Sequence, residues 1–286
     1  MRNHYLPQFY LSGFSNSEGN VWVYNREDGS SFCAGTKRIA NQKNFYSDEI
    51  ETYLANKIEN PANNVIKRIR ELKPISKEDK LTLSKYMIVM WKRVPRGKAR
   101  LEKKSPRIIN QVIDNVEHNL KKLVEQNPQK NHLKSKQGQL KEFRQLVNND
   151  DNFLEELTND TWLKNMPPEK TPRSVKVLAE MNWQFLTSDK NPAFFTSDNP
   201  VFFFEDIGIS NREKSEVTFP ISSNVVLCAS WRMNLGEAYI PAKQGQIHQI
   251  NRRTANIATR FVFHSEKHDW IAKLTAKKKH KIRRLF

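Results

Sequence analysis

The sequence contains few of the residues that mark several large classes of protein. It has nine glycines in 286 residues and no GxGxxG or GxxxxGK motif, so no nucleotide cofactor held by a glycine-rich loop is expected. Cys33 and Cys228 lie far apart and outside any CxxC cluster, which argues against a structural zinc site and favours a reducing, cytoplasmic location. No apolar run approaches the roughly 18 residues that a membrane span needs, and the first residues do not resemble a secretion signal.

Positive charge is what the sequence has in excess. It carries 48 Lys and Arg against 31 Asp and Glu, for a net charge of +17 and a pI near 9.8. An excess of this size favours a polyanionic partner, because lysine and arginine neutralise phosphates and release their counterions. Nucleic acid is therefore the expected partner, and a protein partner is the alternative.

The first two thirds of the chain combine one strand pair with long helical stretches. Residues 20–26 alternate between apolar and polar and end at a turn, so residues 31–39 are expected to return as a second strand. Apolar residues at helical spacing predict helices over 49–72, with a break near Pro61, and over 76–93, where Ser76 begins a capping box. Residues 97–170 are polar and helical in pattern.

The last third returns to strands. We expect strands over 183–187, 217–221, 225–230 and 261–264, a hairpin over 191–204 and a helix over 247–260. The predicted fold class is α+β, with a mixed or antiparallel sheet formed by the N-terminal hairpin and the C-terminal strands and packed on the helical middle section. We expect a single domain over 1–286, with a mostly helical insert at about 97–170 and a basic tail at 273–286.

Residues 191–204, NPAFFTSDNPVFFF, place a polar turn between two aromatic runs. The aromatic runs favour strands, and Asx residues before proline favour a tight turn. Asp198 would then lie at the tip of a buried strand pair, where functional side chains are common. The alternative is a structural hairpin whose Asp and Asn side chains bind the amides of their own turn.

Four further polar residues lie in apolar surroundings. His4 has a side chain whose near-neutral pKa suits a base or a ligand, and the alternative is a half-buried group with one backbone partner. Arg93, at the end of an apolar helix, needs an anion, either a buried carboxylate or a phosphate. Glu51 and Glu59 are eight residues apart, roughly 80° around an ideal helix, and the alternative for both is a solvated surface.

Together these motifs resemble the bacterial family known as domain of unknown function 4238. The resemblance depends on the opening HYLPQFYL of residues 4–11, on Phe45-Tyr46 before the glutamates, on Arg93-Val94-Pro95 and on Thr196 to Pro200, TSDNP. It spans nearly the whole chain except the basic tail and parts of 97–170. It implies a single bacterial cytoplasmic domain with shared polar positions, and it implies no activity.

Our functional hypothesis gathers the separated polar residues into one cleft. Imidazole and carboxylates suit a divalent metal such as Mg²⁺ or Mn²⁺, and an arginine can hold a phosphate in bidentate fashion. The predicted activity is phosphodiester cleavage, on RNA rather than DNA, by a metal-bound or His-activated water. The predicted residues are His4, Arg93 and Asp198 as catalytic, Gln8, Asn199 and Arg96 as substrate-binding, and Glu51, Glu59 and Asp198 as metal ligands.

Two other functions fit the same residues. The chain could bind nucleic acid or a ribonucleoprotein without turnover, or it could be a subunit that docks on a partner protein. In both cases the polar cluster would be structural, with Arg93 bridging carboxylates and His4 donating to a backbone carbonyl. A role as a toxin or defence effector is an association only, since no residue points to it.

Overall fold

The computed structural model describes most of the chain. Asn191, in the hairpin predicted over 191–204, and Lys278, in the predicted basic tail, lie outside the described residues. Two compact units are present, one formed by Met1–Arg96 with Pro167–Phe286 and one by Gly97–Met166. The described residues are 2–166, 171–188, 193–232, 238–277 and 279–286.

A run of helices in the middle of the chain separates short strands near the N-terminus from most of the other strands, and the α+β prediction is confirmed. The described strands are β1 Arg2–His4, β2 Asn20–Asn25, β3 Ser31–Gly35, β4 Asn41–Lys43, β5 Asn182–Thr187, β6 Thr196–Ser197, β7 Phe202–Phe203, β8 Glu216–Pro220, β9 Val225–Ser230, β10 Ala238–Pro241 and β11 Phe261–His264. The described helices are α1 Gln8–Leu11, α2 Asp48–Tyr53, α3 Asn60–Arg70, α4 Lys77–Arg93, α5 Pro95–Gln126, α6 Asn131–Asn149, α7 Asp151–Lys164, α8 Arg173–Glu180, α9 Gln244–Ile257 and α10 Asp269–Thr275.

The N-terminal hairpin and two C-terminal strands form one antiparallel sheet, in the order β3-β2-β11-β6. Trp22 of β2 lies opposite Cys33 on one side and His264 on the other. The predicted hairpin and its pairing with C-terminal strands are therefore confirmed, although the return strand, predicted over 31–39, ends at Gly35. The sheet joins chain segments more than 200 residues apart, since Phe261 lies opposite Asn25.

A second sheet, in the order β10-β5-β9-β8-β7, is mixed, because β10 runs parallel to β5 and the other pairs are antiparallel. Every residue of β8 and β9 is buried. Both faces of these strands are covered, which explains why Val225–Ser230 reads as a continuous apolar run. Helices α4 and α8 pack against each other, and Trp183 in β5 donates from Nε1 to the carbonyl of Leu178 at 2.9 Å.

The hairpin predicted over 191–204 is wrong. β6 pairs with β11 in the four-stranded sheet, whereas β7 pairs with β8 in the five-stranded sheet. The Asp198-Asn199-Pro200 turn therefore carries the chain from one sheet to the other. Local propensity correctly placed two strands and a turn, but pairing depends on partners more than 10 residues away that propensity does not encode.

The predicted helix over 49–72 has an irregular middle. Ser47 caps α2 by accepting from the backbone N–H of Ile50. A π-helical segment, Leu54–Glu59, separates α2 from α3, and Pro61 lies in the first turn of α3. Proline is tolerated there because its missing N–H has no helical partner anyway. Predicted capping at Ser76 is confirmed, since its side chain and that of Asp79 exchange bonds with each other's backbone N–H.

The unit Gly97–Met166 contains most of α5 and all of α6 and α7. α6 and α7 pack as neighbours, and the Phe143 and Phe153 rings meet edge to face at 5.8 Å. Arg144 bridges Asp114 at 2.7 Å and Glu117 at 2.8 Å. None of the described helices is both long enough and apolar enough to cross a membrane.

Helix α9 contributes to two hydrophobic clusters in the larger unit. Ala255 lies in a cluster with Tyr24, Phe195 and Val262 on the four-stranded sheet. Ile250 lies in the other cluster, whose remaining members come largely from the five-stranded sheet. α9 therefore carries apolar contacts for both sheets, and its C-terminal end adjoins the polar residues described below.

Backbone carbonyls hold the guanidinium of Arg70 close to Gly13. Its guanidinium donates to the carbonyls of Phe9, Tyr10 and Ile221 at 2.9 to 3.1 Å. A Cβ built on Gly13 would touch that guanidinium and come within 2.8 Å of the Ile221 carbonyl oxygen.

We therefore expect Gly13→Ala to lower the free energy of unfolding by about 1–3 kcal/mol, because the new methyl overpacks a hydrogen-bonded site. Gly138→Ala is the control, since no atom lies within 4 Å of a Cβ there and alanine favours a helix by about 0.5–1 kcal/mol. Urea unfolding followed by tryptophan fluorescence measures both. Equal stability of Gly13→Ala and wild type would contradict the packing argument.

Candidate functional site

Asp198 is 3 % exposed and binds the backbone of the segment between α9 and β11. Its Oδ1 accepts from the N–H of Thr259 at 2.7 Å, and its Oδ2 accepts from Arg260 at 2.7 Å and from Phe261 at 3.0 Å. Burial raises the pKa of Asp198, while the three N–H donors and Arg26 oppose that rise. The carboxylate predicted to be catalytic thus satisfies three backbone donors.

Asn199, in the same turn, adds a further contact with the end of α9. Its Nδ2 donates to the carbonyl of Ile257 at 2.9 Å, which is one of the carbonyls left without a partner at the end of α9. Ser197 Oγ donates to the Asn199 carbonyl at 3.0 Å. The TSDNP turn therefore fixes the end of α9 and the start of β11, and Asn199, predicted to bind substrate, contacts the backbone.

Arg93 is 1 % exposed and forms a buried ion pair. Its Nη1 donates to Glu59 and its Nη2 to the carbonyl of His4. Burial, the largest single cause, lowers the pKa of the guanidinium, but Glu59 together with Tyr46 and Tyr86 outweighs it, so the pKa of Arg93 is raised overall. The Tyr46 ring lies 5.9 Å from the guanidinium carbon. Arg93 joins the N-terminal strand to the helical segment that carries Glu59.

His4 contacts the backbone through its side chain and its main chain. Its Nε2 lies 3.1 Å from the carbonyl oxygen of Lys37, so the ring donates there, since a carbonyl oxygen can only accept. Its own carbonyl accepts from the Tyr46 hydroxyl at 2.8 Å as well as from Arg93. This arrangement matches the structural alternative stated for His4, a half-buried group with a backbone partner.

The remaining predicted ligands have separate neighbours. Glu51 accepts from Asn3 Nδ2 at 3.3 Å, whereas Glu59 pairs with Arg93, so the two glutamates serve different contacts. Gln8 is exposed at the start of α1. Over the part of the chain that the structure describes, no group of three or more His, Cys, Asp or Glu could hold a metal ion. The predicted Mg²⁺ or Mn²⁺ stays a prediction, and nothing below depends on it.

Arg96, predicted to bind substrate, opens onto a cleft of about 570 Å³. We call this the cationic cleft, since four of its described lining residues are Arg, Lys or His. The lining also offers hydroxyl and amide groups, while Glu27 is the carboxylate among the described lining residues. The described lining consists of Arg26, Glu27, Arg96, Asn256, Ala258, Thr259, Thr275, Ala276, Lys279 and His280.

Arg26 is held in the cationic cleft by backbone carbonyls. It donates to Ala258, to Thr275 at 3.2 Å and to Lys277 at 3.1 Å. Burial lowers the pKa of Arg26, with nearby Asp198 raising it and Arg96 lowering it further. These contacts use three of the five N–H donors of the guanidinium, so the group is oriented while retaining donors for a ligand.

His280 and Arg96 each present a buried nitrogen. His280 Nε2 and Arg96 Nε are shielded from solvent and have no hydrogen-bond partner among the described residues. Burial lowers the pKa of His280, a bond with the Leu274 backbone raises it, and Arg26, Lys277 and Arg252 lower it. Ser84 Oγ, Tyr86 Oη and Arg253 Nε are in the same state elsewhere in the described chain. The nitrogens of His280 and Arg96 differ from them in that both belong to residues that line one cleft.

The basic tail reaches the cationic cleft because both of its ends are anchored. Before it, Ile271 of α10 packs in the cluster on the four-stranded sheet. At its last two residues, Glu216 accepts from the backbone N–H groups of Leu285 and Phe286 at 3.0 to 3.2 Å. Arg253 pairs with Glu216 and donates to the Arg283 carbonyl at 2.8 Å. Lys279 and His280 therefore lie between two fixed points.

Sequence reasoning missed Arg26, His280 and the Glu216–Arg253 pair. Arg26 follows an alternating strand and has the pattern of a solvated strand end. His280 sits in a lysine-rich run that reads as a tail. No spacing in the sequence brings positions 26, 96 and 280 together, because they meet only when β2, α5 and the tail are placed by tertiary packing.

A protein-family model described as "Protein of unknown function (DUF4238)" matches residues 2–268. No curated protein and no solved structure matches the chain. The match covers Arg26, Arg93, Arg96 and Asp198, and it ends before Lys279 and His280. The residues that line the cleft from the tail therefore lie beyond the matched segment.

The contacts of Asp198 predict a structural role that can be measured. Asp198→Ala should lower the free energy of unfolding by about 2–4 kcal/mol, because three buried N–H groups lose their acceptor. Asp206→Ala, on an exposed loop of the same unit, should change it by less than about 0.5 kcal/mol. An Asp198→Ala variant that keeps wild-type stability in urea but loses an RNA-cleaving activity would instead favour the catalytic prediction.

The buried pair predicts a non-additive response. Arg93→Met should cost about 3–5 kcal/mol of unfolding free energy, because Glu59 loses its counter-charge, and Arg93→Met with Glu59→Met should recover a large part. The control is Arg144→Met, whose side chain is 30 % exposed and whose loss should matter far less. A double variant as unstable as the sum of its single variants would contradict coupling between Arg93 and Glu59.

Proposed function

Because the chain belongs to the family of unknown function DUF4238, whose description assigns no activity, we propose its function from the site: it is a nucleic-acid-binding protein that captures phosphate in the cationic cleft. The observation that carries the proposal is the set of three cationic side chains, Arg26, Arg96 and Lys279, with the His280 ring beside them around one opening.

The three cationic side chains of the cleft outnumber the carboxylates described near it. Glu27, which lines the cleft, pairs with Arg260 at 2.9 Å. Asp198 attracts Arg26 and raises its pKa, while the Asp198 oxygens accept three backbone N–H groups. Arg26 and Arg96 therefore repel each other in a partly buried site, and a bound phosphate would remove that repulsion.

The carbonyls that hold Arg26 orient it without cancelling its charge. Ala258 follows the last residue of α9, and Thr275 is the last residue of α10, so these carbonyls lie at helix ends that favour cations. A guanidinium fixed in this way loses little side-chain entropy when it meets an anion. Planar, oriented donors are what phosphate recognition by arginine requires.

The net charge of +17 supports a polyanion over a small anion, because distributed lysines and arginines add counterion release to the contacts in the cleft. Phosphodiester cleavage stays a prediction. The residues predicted to catalyse it hold the fold together: Arg93 pairs with Glu59, Asp198 with the backbone, and His4 with a carbonyl. Binding without turnover uses the cleft and leaves these contacts intact.

We expect the purified chain to bind single-stranded RNA and DNA with an affinity that falls steeply as salt rises. Lys279→Ala should weaken binding and reduce the slope of log Kd against log salt by about one, as expected for a phosphate contact. Arg96→Ala should weaken binding roughly 10- to 100-fold. Fluorescence anisotropy with labelled oligonucleotides over a salt series measures all three.

Lys281→Ala is the matched control, since Lys281 is exposed two residues beyond Lys279 and is not among the described lining residues of the cleft. It removes the same charge and should affect affinity less than Lys279→Ala. Equal effects of the two lysine variants would show that net charge alone drives binding. Cleavage of the oligonucleotides by wild type, with or without Mg²⁺ or Mn²⁺, would contradict the non-catalytic proposal.

A further inference from the structure

We propose that the cationic cleft recognises a terminal phosphomonoester, the 5′- or 3′-phosphate at the end of a nucleic-acid strand, in preference to an internal phosphodiester. This inference rests on the proposed function, and it names the group that enters the cleft. Three observations carry it: the burial of two nitrogens, the unpartnered state of His280 Nε2 and the number of cations.

The burial of two nitrogens in residues that line the cleft restricts which phosphate can reach them. Arg96 Nε and His280 Nε2 are both shielded from solvent. An internal phosphate is flanked by two sugars and cannot advance to such atoms without burying both. A terminal phosphate projects from one sugar only, so it can enter while the nucleoside stays outside. The described lining includes no Phe, Tyr or Trp, so it offers no platform for stacking a base.

The His280 ring distinguishes the two phosphates by hydrogen bonding. His280 Nε2 has no partner among the described residues. The hydrogen bond between the ring and the Leu274 backbone therefore uses Nδ1, which donates to the Leu274 carbonyl. Burial lowers the pKa of His280, and the charges of Arg26, Lys277 and Arg252 lower it further, so the uncharged ring is favoured and its Nε2 is an acceptor. With a second pKa of about 6, a monoester exists partly as a monoanion, whose P–OH group can donate to Nε2, and partly as a dianion, which lacks that proton but carries the extra charge considered below. A diester has no such proton, and its oxygens would face a lone pair.

The charge of the cleft also suits the monoester. A phosphomonoester carries about −1.5 to −2 charge near pH 7 and three terminal oxygens, whereas a diester carries one charge on two oxygens. Arg26, Arg96 and Lys279 together offer more N–H donors than two oxygens can accept. The third terminal oxygen of a monoester completes the pairing, and its extra charge offsets the repulsion between the two arginines.

The test compares single-stranded RNA oligonucleotides of about 12 nucleotides with a 5′-phosphate, a 3′-phosphate or hydroxyls at both ends. Wild type should bind at least one phosphorylated form roughly 10-fold more tightly than the hydroxyl form. Arg96→Ala and His280→Phe should each reduce that preference to about 3-fold or less while retaining salt-dependent binding. Lys281→Ala should keep the preference.

The outcomes separate this inference from the proposed function. Equal, salt-sensitive binding of all oligonucleotides to wild type would overturn the terminal-phosphate inference and leave nucleic-acid binding standing. No binding of any oligonucleotide would overturn both. A preference that survives Arg96→Ala and His280→Phe would place recognition outside the cleft and overturn the assignment to these residues.

A competition arm identifies the source of the phosphate. Methyl phosphate should displace the 5′-phosphorylated oligonucleotide at lower concentration than dimethyl phosphate, which supports monoester recognition. If inorganic phosphate or a mononucleotide binds as tightly as the phosphorylated oligonucleotide, the cleft serves a small phosphomonoester, and the assignment to strand ends is overturned. Circular dichroism of each variant confirms that it is folded.

Discussion

The buried carboxylate of Asp198 is the constraint on which the site depends. A charged group in the core must find hydrogen-bond donors, and Asp198 finds three in the backbone of Thr259, Arg260 and Phe261. This contact holds the end of α9 against the start of β11 at the point where the chain passes from one sheet to the other. Arg26 and Thr259, which line the cleft, are positioned by the same few residues.

Two buried ion pairs fix the two ends of the described chain. Arg93 with Glu59 fastens β1 by way of the His4 carbonyl, and Arg253 with Glu216 fastens residues 283–286. Such pairs contribute little net stability, because desolvation offsets their attraction, but each leaves a costly unpaired charge if broken. Here they hold β1 and residues 283–286 in specific positions. Arg93 and Arg253 each pair with a carboxylate, although Arg93 Nε and Arg253 Nε and Nη1 have no hydrogen-bond partner among the described residues. Arg26 in the cleft is held by backbone carbonyls instead.

The sequence predicted those features of the fold that depend on residues close together in the chain. The capping box at Ser76, the strand pair after residue 20 and the α+β class follow from side-chain periodicity and from caps that act within four residues. The turn at Asp198-Asn199-Pro200 was also correctly placed. Its hairpin was wrong, because strand pairing depends on β11 and β8, and the π-helical segment before Asn60 has no local marker that periodicity detects.

The sequence by itself determined the family, the fold class, the excess of positive charge and which polar residues lie in apolar surroundings. Only the tertiary structure decided which of those residues pair with one another or with the backbone, and which cations line the cleft. Pairing is a property of distance in space: Glu59 reaches Arg93, Glu216 reaches Arg253 and Asp198 reaches a backbone 61 residues away. Arg26, Arg96 and His280 meet because three separate elements pack around them, and no periodicity in one dimension encodes that meeting.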